Sequence, residues 1–194
     1  MSDRSFAIEA NGRIDKRALR TRELLADALL SLGAQGPFEE FDVGALVDEA
    51  GISRSTFYQH FASKDDFLVR SWVDLLGATQ HAYDQRYPEN ADILPSRPIF
   101  VHVGEARDFV ASLVRSGIYA RQMAAGEARL RAIAEDKLRK QKPHWSAERR
   151  RETAVYIAGG FVGLLRWWME SGLVKPAVDV QGAFERLTAN ALRD

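Results

Sequence analysis

The chain has 194 residues, no cysteine, 46% hydrophobic residues and a formal net charge of zero from 27 basic and 27 acidic side chains. That length fits one large domain or a small domain joined to a larger one, and the apolar fraction is enough for a packed core. The lack of cysteine excludes a disulfide framework, a thiolate zinc site and a thiol nucleophile, and zero net charge restricts any contact with nucleic acid to a local patch.

Residues 1–12 are polar, lack the apolar run of a secretory signal, and read as a disordered leader. Basic charge gathers just after them, at Arg13, Lys16, Arg17, Arg20 and Arg22 against Asp15 alone, whereas residues 39–49 carry five acids and no base. A first helix is predicted over 15–32, because Leu25, Ala28, Leu29 and Leu32 recur on one helical face. Gly33, Gly36 and Pro37 end it. Asp42 is a suitable N-cap for a short helix over 43–50, and Gly51 suits the left-handed position that closes it. Ser53 can cap a third helix over 54–61, and Ser63 with Asp66 forms a capping box for a fourth that reaches about residue 83. Three prolines make 85–98 a loop, and further helices are predicted over 103–116, 121–140, 147–171 and 180–192. No strand pattern and no repeat interrupts them, so the expected class is all-α. The most membrane-like stretch, TAVYIAGGFVGLL, is 13 residues long. It is too short to span a bilayer, so no membrane partner is expected and the expected location is the cytoplasm.

The stretch AGISRSTFYQHFASKDDF has the layout of a helix-turn-helix, two short helices around a glycine turn. On a helical wheel Phe57 and Phe61 fall about 40° apart and face inward. Ser55, Tyr58 and Gln59 fall outward with Thr56 beside them, and Arg54 and His60 flank that face. Small Ser55 and Thr56 permit close approach to a DNA groove, and Gln59 can pair with a base edge. Tyr58 and His60 can reach phosphate oxygens, and Lys64 stands at a helix N-terminus, where both dipole and charge favour a phosphate. Arg13, Lys16 and Arg17 can follow the adjacent backbone. An ordinary solvated helix face is the competing interpretation. It leaves this alignment and the basic entry unexplained.

These residues resemble the DNA-binding signature of the tetracycline-repressor (TetR) family of bacterial transcriptional regulators, over roughly residues 15–76. The resemblance implies an N-terminal three-helix domain over 13–62 that binds a palindromic double-stranded operator. It further implies a helical domain over 63–194 that dimerises and binds an effector, and a regulator that is most often a repressor. It assigns Tyr58, His60 and Lys64 to phosphates and Ser55, Thr56 and Gln59 to bases. Family members often carry Thr where Asp42 stands, and residues 1–70 hold nine basic against twelve acidic side chains. The acids Glu39, Glu40, Asp48 and Glu49 are therefore expected to point away from DNA.

In AVYIAGGFVGLLRWWMESG two apolar stripes run side by side, Val155, Ala158, Val162, Leu165 and Met169 next to Ile157, Phe161, Leu164 and Trp168. A helix apolar on two faces must bury both, one within the protomer and one against a partner. A homodimer interface is expected from Val155, Ala158, Gly159, Val162, Gly163, Leu165, Trp168 and Met169, completed by Phe184 and Leu187 of the last helix. A pocket for an at least partly apolar small molecule is expected within the bundle, with Trp72, Leu76, Phe109, Leu113, Met123, Tyr156 and Phe161 as candidate walls. The four histidines form no metal-binding pair, and no phosphate loop or nucleophile elbow occurs, so no catalytic residue, metal or cofactor is expected. The alternative kept open is a dimeric scaffold or carrier that binds a small molecule or a protein without operator DNA.

Overall fold

The computed structural model describes residues 16–89 and 91–193. In chain order the elements are α1 (Lys16–Gln35), a 3-10 turn (Phe38–Glu40), α2 (Val43–Ala50), α3 (Arg54–His60) and α4 (Lys64–Arg86). They are followed by α5 (Ser96–Glu105), α6 (Arg107–Ser116), α7 (Tyr119–Gln141), α8 (Ala147–Glu170) and α9 (Ala177–Ala191). The fold is all-α, as the periodicity implied.

Caps fix the short N-terminal helices. Asp42 accepts from the Ala45 N–H at 2.9 Å, Ser53 from Thr56 at 3.1 Å and Ser63 from Asp66 at 3.1 Å. Gly51 closes α2 at φ 65°, in the left-handed region. The apolar faces then meet in an N-terminal core of Leu25, Leu46, Phe57, Phe61, Phe67 and their neighbours. Phe57, Phe61 and Phe67 stack edge-on or tilted with centroids 5.0–6.1 Å apart. Burying each contributes roughly 1.5–3 kcal/mol.

The expected helix over 103–116 is two helices, α5 and α6, separated at Ala106 (φ −91°, ψ 29°). The expected loop over 85–98 ends earlier, because Pro98 lies in the first turn of α5, where a missing N–H costs nothing. α4 begins just after the boundary expected at residues 62 and 63, yet it packs into both cores. Its Phe67 and Leu68 belong to the N-terminal core and its Trp72 and Leu76 to the larger C-terminal core.

α6 ties the two parts together. Leu113 enters the N-terminal core, and Ser112 Oγ accepts from the Phe38 N–H at 3.1 Å while donating to the Phe109 carbonyl at 2.8 Å. At its other end Arg107 donates to the carbonyls of Gly172 and Leu173, at 2.8 and 2.6 Å, in the turn that closes α8. One helix thus links the end of α8 to the 3-10 turn beside α2.

Candidate nucleic-acid interface and adjoining cavity

α3 carries its polar residues as the wheel requires. Phe57 is fully buried, Tyr58 is 57% exposed, and Ser55, Gln59 and Arg54 are exposed. Thr56 and His60 are half-buried at the edges. The Tyr58 ring packs edge-on against Phe57 at 5.3 Å, which fixes its direction from beneath. The hydroxyls of Ser55 and Thr56 both lie 2.8 Å from Ser53 Oγ, so the N-terminus of α3 presents a connected hydroxyl cluster.

Arg54 is turned back over α2. A Cβ added at Gly44 would meet its Nη2 at 2.4 Å and Asp42 Oδ1 at 2.9 Å, so glycine leaves room for both side chains. The Asp42 carboxyl is held below its ordinary range, first by the Ala45 N–H and also by Arg54. The acid that stands where family members often carry Thr is therefore occupied as a cap beside a cation. Glu49 likewise accepts from Ser31 on α1 at 2.6 Å.

Lys64 departs from expectation. Its ammonium donates to the carbonyls of Phe38 and Phe41, each at 2.5 Å, and lies 4.0 Å from the Phe38 ring centroid. Burial pulls its pKa below the ordinary lysine range, against the opposing pull of Asp65, Glu39 and Asp42. The structure places it as a brace between α4 and the 3-10 turn, because two carbonyls left open there are closer than solvent. Of the basic entry, Arg17 is exposed, Arg20 pairs with Glu23 and Arg22 turns to Asp74 of α4 at 3.0 Å. Arg13 and the leader 1–12 lie outside the described residues, and Lys16 opens α1.

A cavity of about 150 Å³ lies where α1, α4, α5, α6, α7 and α8 converge. Of the candidate pocket walls, Trp72, Phe109, Leu113 and Met123 line it. Leu76 and Phe161 do not. Both are fully buried in the C-terminal core, Phe161 between Phe100 and Phe184. Tyr156 is 58% exposed on the outer face of α8, away from the cavity. Other residues that line it were not expected as pocket walls, among them Ala26, Leu29 and Leu30 of α1 and the polar Ser71, His102 and Gln122. Apolar spacing marks a position as core without showing that it borders a void.

The two stripes of α8 are also reassigned. Ala158, Val162, Leu165, Trp168 and Met169 are buried within the protomer, and Leu165 and Met169 line the cavity. Phe184 is buried as well. What α8 leaves open is a third face, with Val155, Tyr156 and Trp167 exposed around Gly160 and Gly163. Val155, Gly159, Gly163, Phe184 and Leu187 of the expected interface do line an outer groove of about 470 Å³ between α8 and α9. Gly159 and Gly163 therefore lie on an open face as expected, whereas most of the apolar stripes that flank them turns inward.

No described helix is long and apolar enough to cross a membrane, and no group of three or more His, Asp or Glu among the described residues is placed to hold a metal.

Residues 25–70 match the family of bacterial regulatory proteins, tetR family. The chain is 34% identical over 61 residues to the uncharacterized HTH-type transcriptional regulator YxbF of Bacillus subtilis (strain 168), a stretch that is 31% of this chain and 16% of that protein. Similar folds extend much further. The dihydroxyacetone kinase operon activator DhaS aligns over 88% of this chain and 94% of its own, with TM-score 0.67 and 15% identity. A TetR transcriptional regulator from Rhodococcus sp. RHA1 aligns over 92% and 99%, with TM-score 0.66 and 12% identity. The matched segment is the one whose caps and inward phenylalanines hold α3 with its polar face outward, and over residues 25–70 the chain is similar to the tetR family of bacterial regulatory proteins.

Proposed function

We propose that this transcriptional regulator binds a palindromic double-stranded operator as a homodimer and releases it when a small, at least partly apolar effector occupies the cavity, so acting as a repressor and not as an enzyme. The observation that supports the reading best is the α3 surface, where Ser55, Tyr58 and Gln59 are exposed over a fully buried Phe57. Gln59 reads a base edge, Ser55 and Thr56 admit the groove, Tyr58 and His60 meet phosphates, and Arg17 follows the backbone with Lys16 and Arg13. Lys64 acts indirectly, by holding the 3-10 turn against α4.

Dimerisation joins the open face of α8 to its two-fold copy, with α9 alongside, and so sets the distance between two α3 helices to match two half-sites. The cavity touches α1 directly through Ala26, Leu29 and Leu30, and touches α4 and α6, which enter the N-terminal core. An occupant that favours a different angle between these helices spoils the spacing. Shifting occupancy from mostly bound to mostly free requires differential affinity on the order of a few kcal/mol.

Fluorescence anisotropy on DNA from the gene's own upstream region, against an unrelated duplex, tests the reading. Gln59→Ala is expected to cost about 1–3 kcal/mol on the specific duplex only. Tyr58→Ala should weaken both duplexes and reduce the salt dependence little, because it removes a neutral phosphate contact. Unchanged binding in both variants would remove α3 from the interface. Equal, weak binding of the parent protein to specific and unrelated DNA, repeated on sites selected from random sequence, would favour the scaffold.

A further inference from the structure

We infer that the effector is an uncharged molecule of about one aromatic ring, bearing a single hydrogen-bonding group. The inference rests on the proposed role of the cavity and adds the chemical class that enters it. Size comes first: about 150 Å³ of free space is the volume that accepts one benzene-sized guest. Charge comes second. Among the described residues that line the cavity no Asp, Glu, Lys or Arg occurs. An ion entering it would shed its hydration without a counter-charge, which an apolar wall cannot offset. Among the described lining residues the one ionisable group is His102, which burial holds toward its neutral form.

Polar specificity comes third. Ser71, His102 and Gln122 stand in an otherwise apolar wall built from Leu29, Trp72, Val110 and their neighbours. Gln122 is buried, and its amide N–H donates weakly to the Leu68 carbonyl at 3.4 Å, which orients the group from α7 toward α4. One hydroxyl or carbonyl on the guest has partners here.

The test is calorimetric titration of the full chain near neutral pH with p-cresol, toluene, benzoate and 2-naphthol. p-Cresol is expected to bind tightest, toluene about tenfold weaker for the lost hydrogen bond, and benzoate and 2-naphthol at least about a hundredfold weaker than p-cresol. Val110→Phe, which fills the cavity, should abolish p-cresol binding, with circular dichroism checking the fold. Met123→Ala, which enlarges it, should raise 2-naphthol affinity, a gain that misfolding cannot produce.

Benzoate or 2-naphthol binding as well as p-cresol in the parent protein, or no binding by any neutral ring, overturns the proposed class. p-Cresol binding that both variants leave unchanged overturns the site. If p-cresol binds as expected but leaves operator affinity unaltered in anisotropy, the class stands and the regulatory role of the cavity fails.

Discussion

His102 shows how one side chain couples the cavity to solution conditions. Burial pulls its imidazole below the ordinary value of 6.5, and Glu105 pulls the other way. Between the folded and unfolded values the unfolded chain binds more protons, so stability rises with pH across that window. The loss begins as pH falls through the ordinary histidine value and is complete below the folded one. Thermal melts between about pH 7.5 and pH 5 should therefore fall more steeply for the parent than for His102→Gln. Parallel slopes would mean that water reaches the imidazole freely. Lys64 teaches a related lesson at the same scale. A cation at a helix N-terminus reads as a phosphate ligand, yet the two backbone carbonyls beside it decide where the ammonium goes.

Between elements, the α4 and α7 contact depends on which glycine faces what. At Gly126 an added Cβ would lie 2.3 Å from Trp72 Nε1 and 3.0 Å from its Cδ1, on a buried ring. At Gly77 it would meet Arg129 Nη2 at 2.6 Å, the end of an exposed flexible chain. Gly126→Ala should thus cost about 1–3 kcal/mol by overpacking, whereas Gly77→Ala should be neutral or stabilise by up to about 1 kcal/mol through helix propensity. Denaturant midpoints of the two variants check the order. A reversed order would mean that Trp72 swings into the neighbouring cavity, and the Gly126→Ala protein would then also lose affinity for p-cresol.

For the whole molecule the decisive surface is the open face of α8. A Cβ at Gly160 or Gly163 meets nothing within 4 Å in the protomer, while Tyr156 and Trp167 stand exposed to either side. Exposed apolar surface around bare backbone suits the close approach of a second helix. Gly160→Arg and Gly163→Arg should convert the protein to a monomer in sedimentation velocity, with a thermal midpoint of the protomer no lower than the parent's at matched low concentration. Specific operator affinity should fall with the loss of the second reading helix. A persistent dimer in both variants would place the interface elsewhere.

The sequence by itself determined the class, the helix-turn-helix and its orientation. Those features rest on local physics: serine and aspartate caps, a left-handed glycine at Gly51, and a wheel that separates Phe57 from Tyr58 and Gln59. It also marked the middle of α8 as buried on two faces. Only the tertiary structure decided which face stays open, that α5 and α6 are separate helices, that Lys64 turns inward and that Ala26, Leu29, His102 and Gln122 border a void. The reason is that burial and caps are encoded over three to four residues, whereas a cavity, a groove or the choice between a carbonyl and solvent depends on which distant segments arrive at the same place.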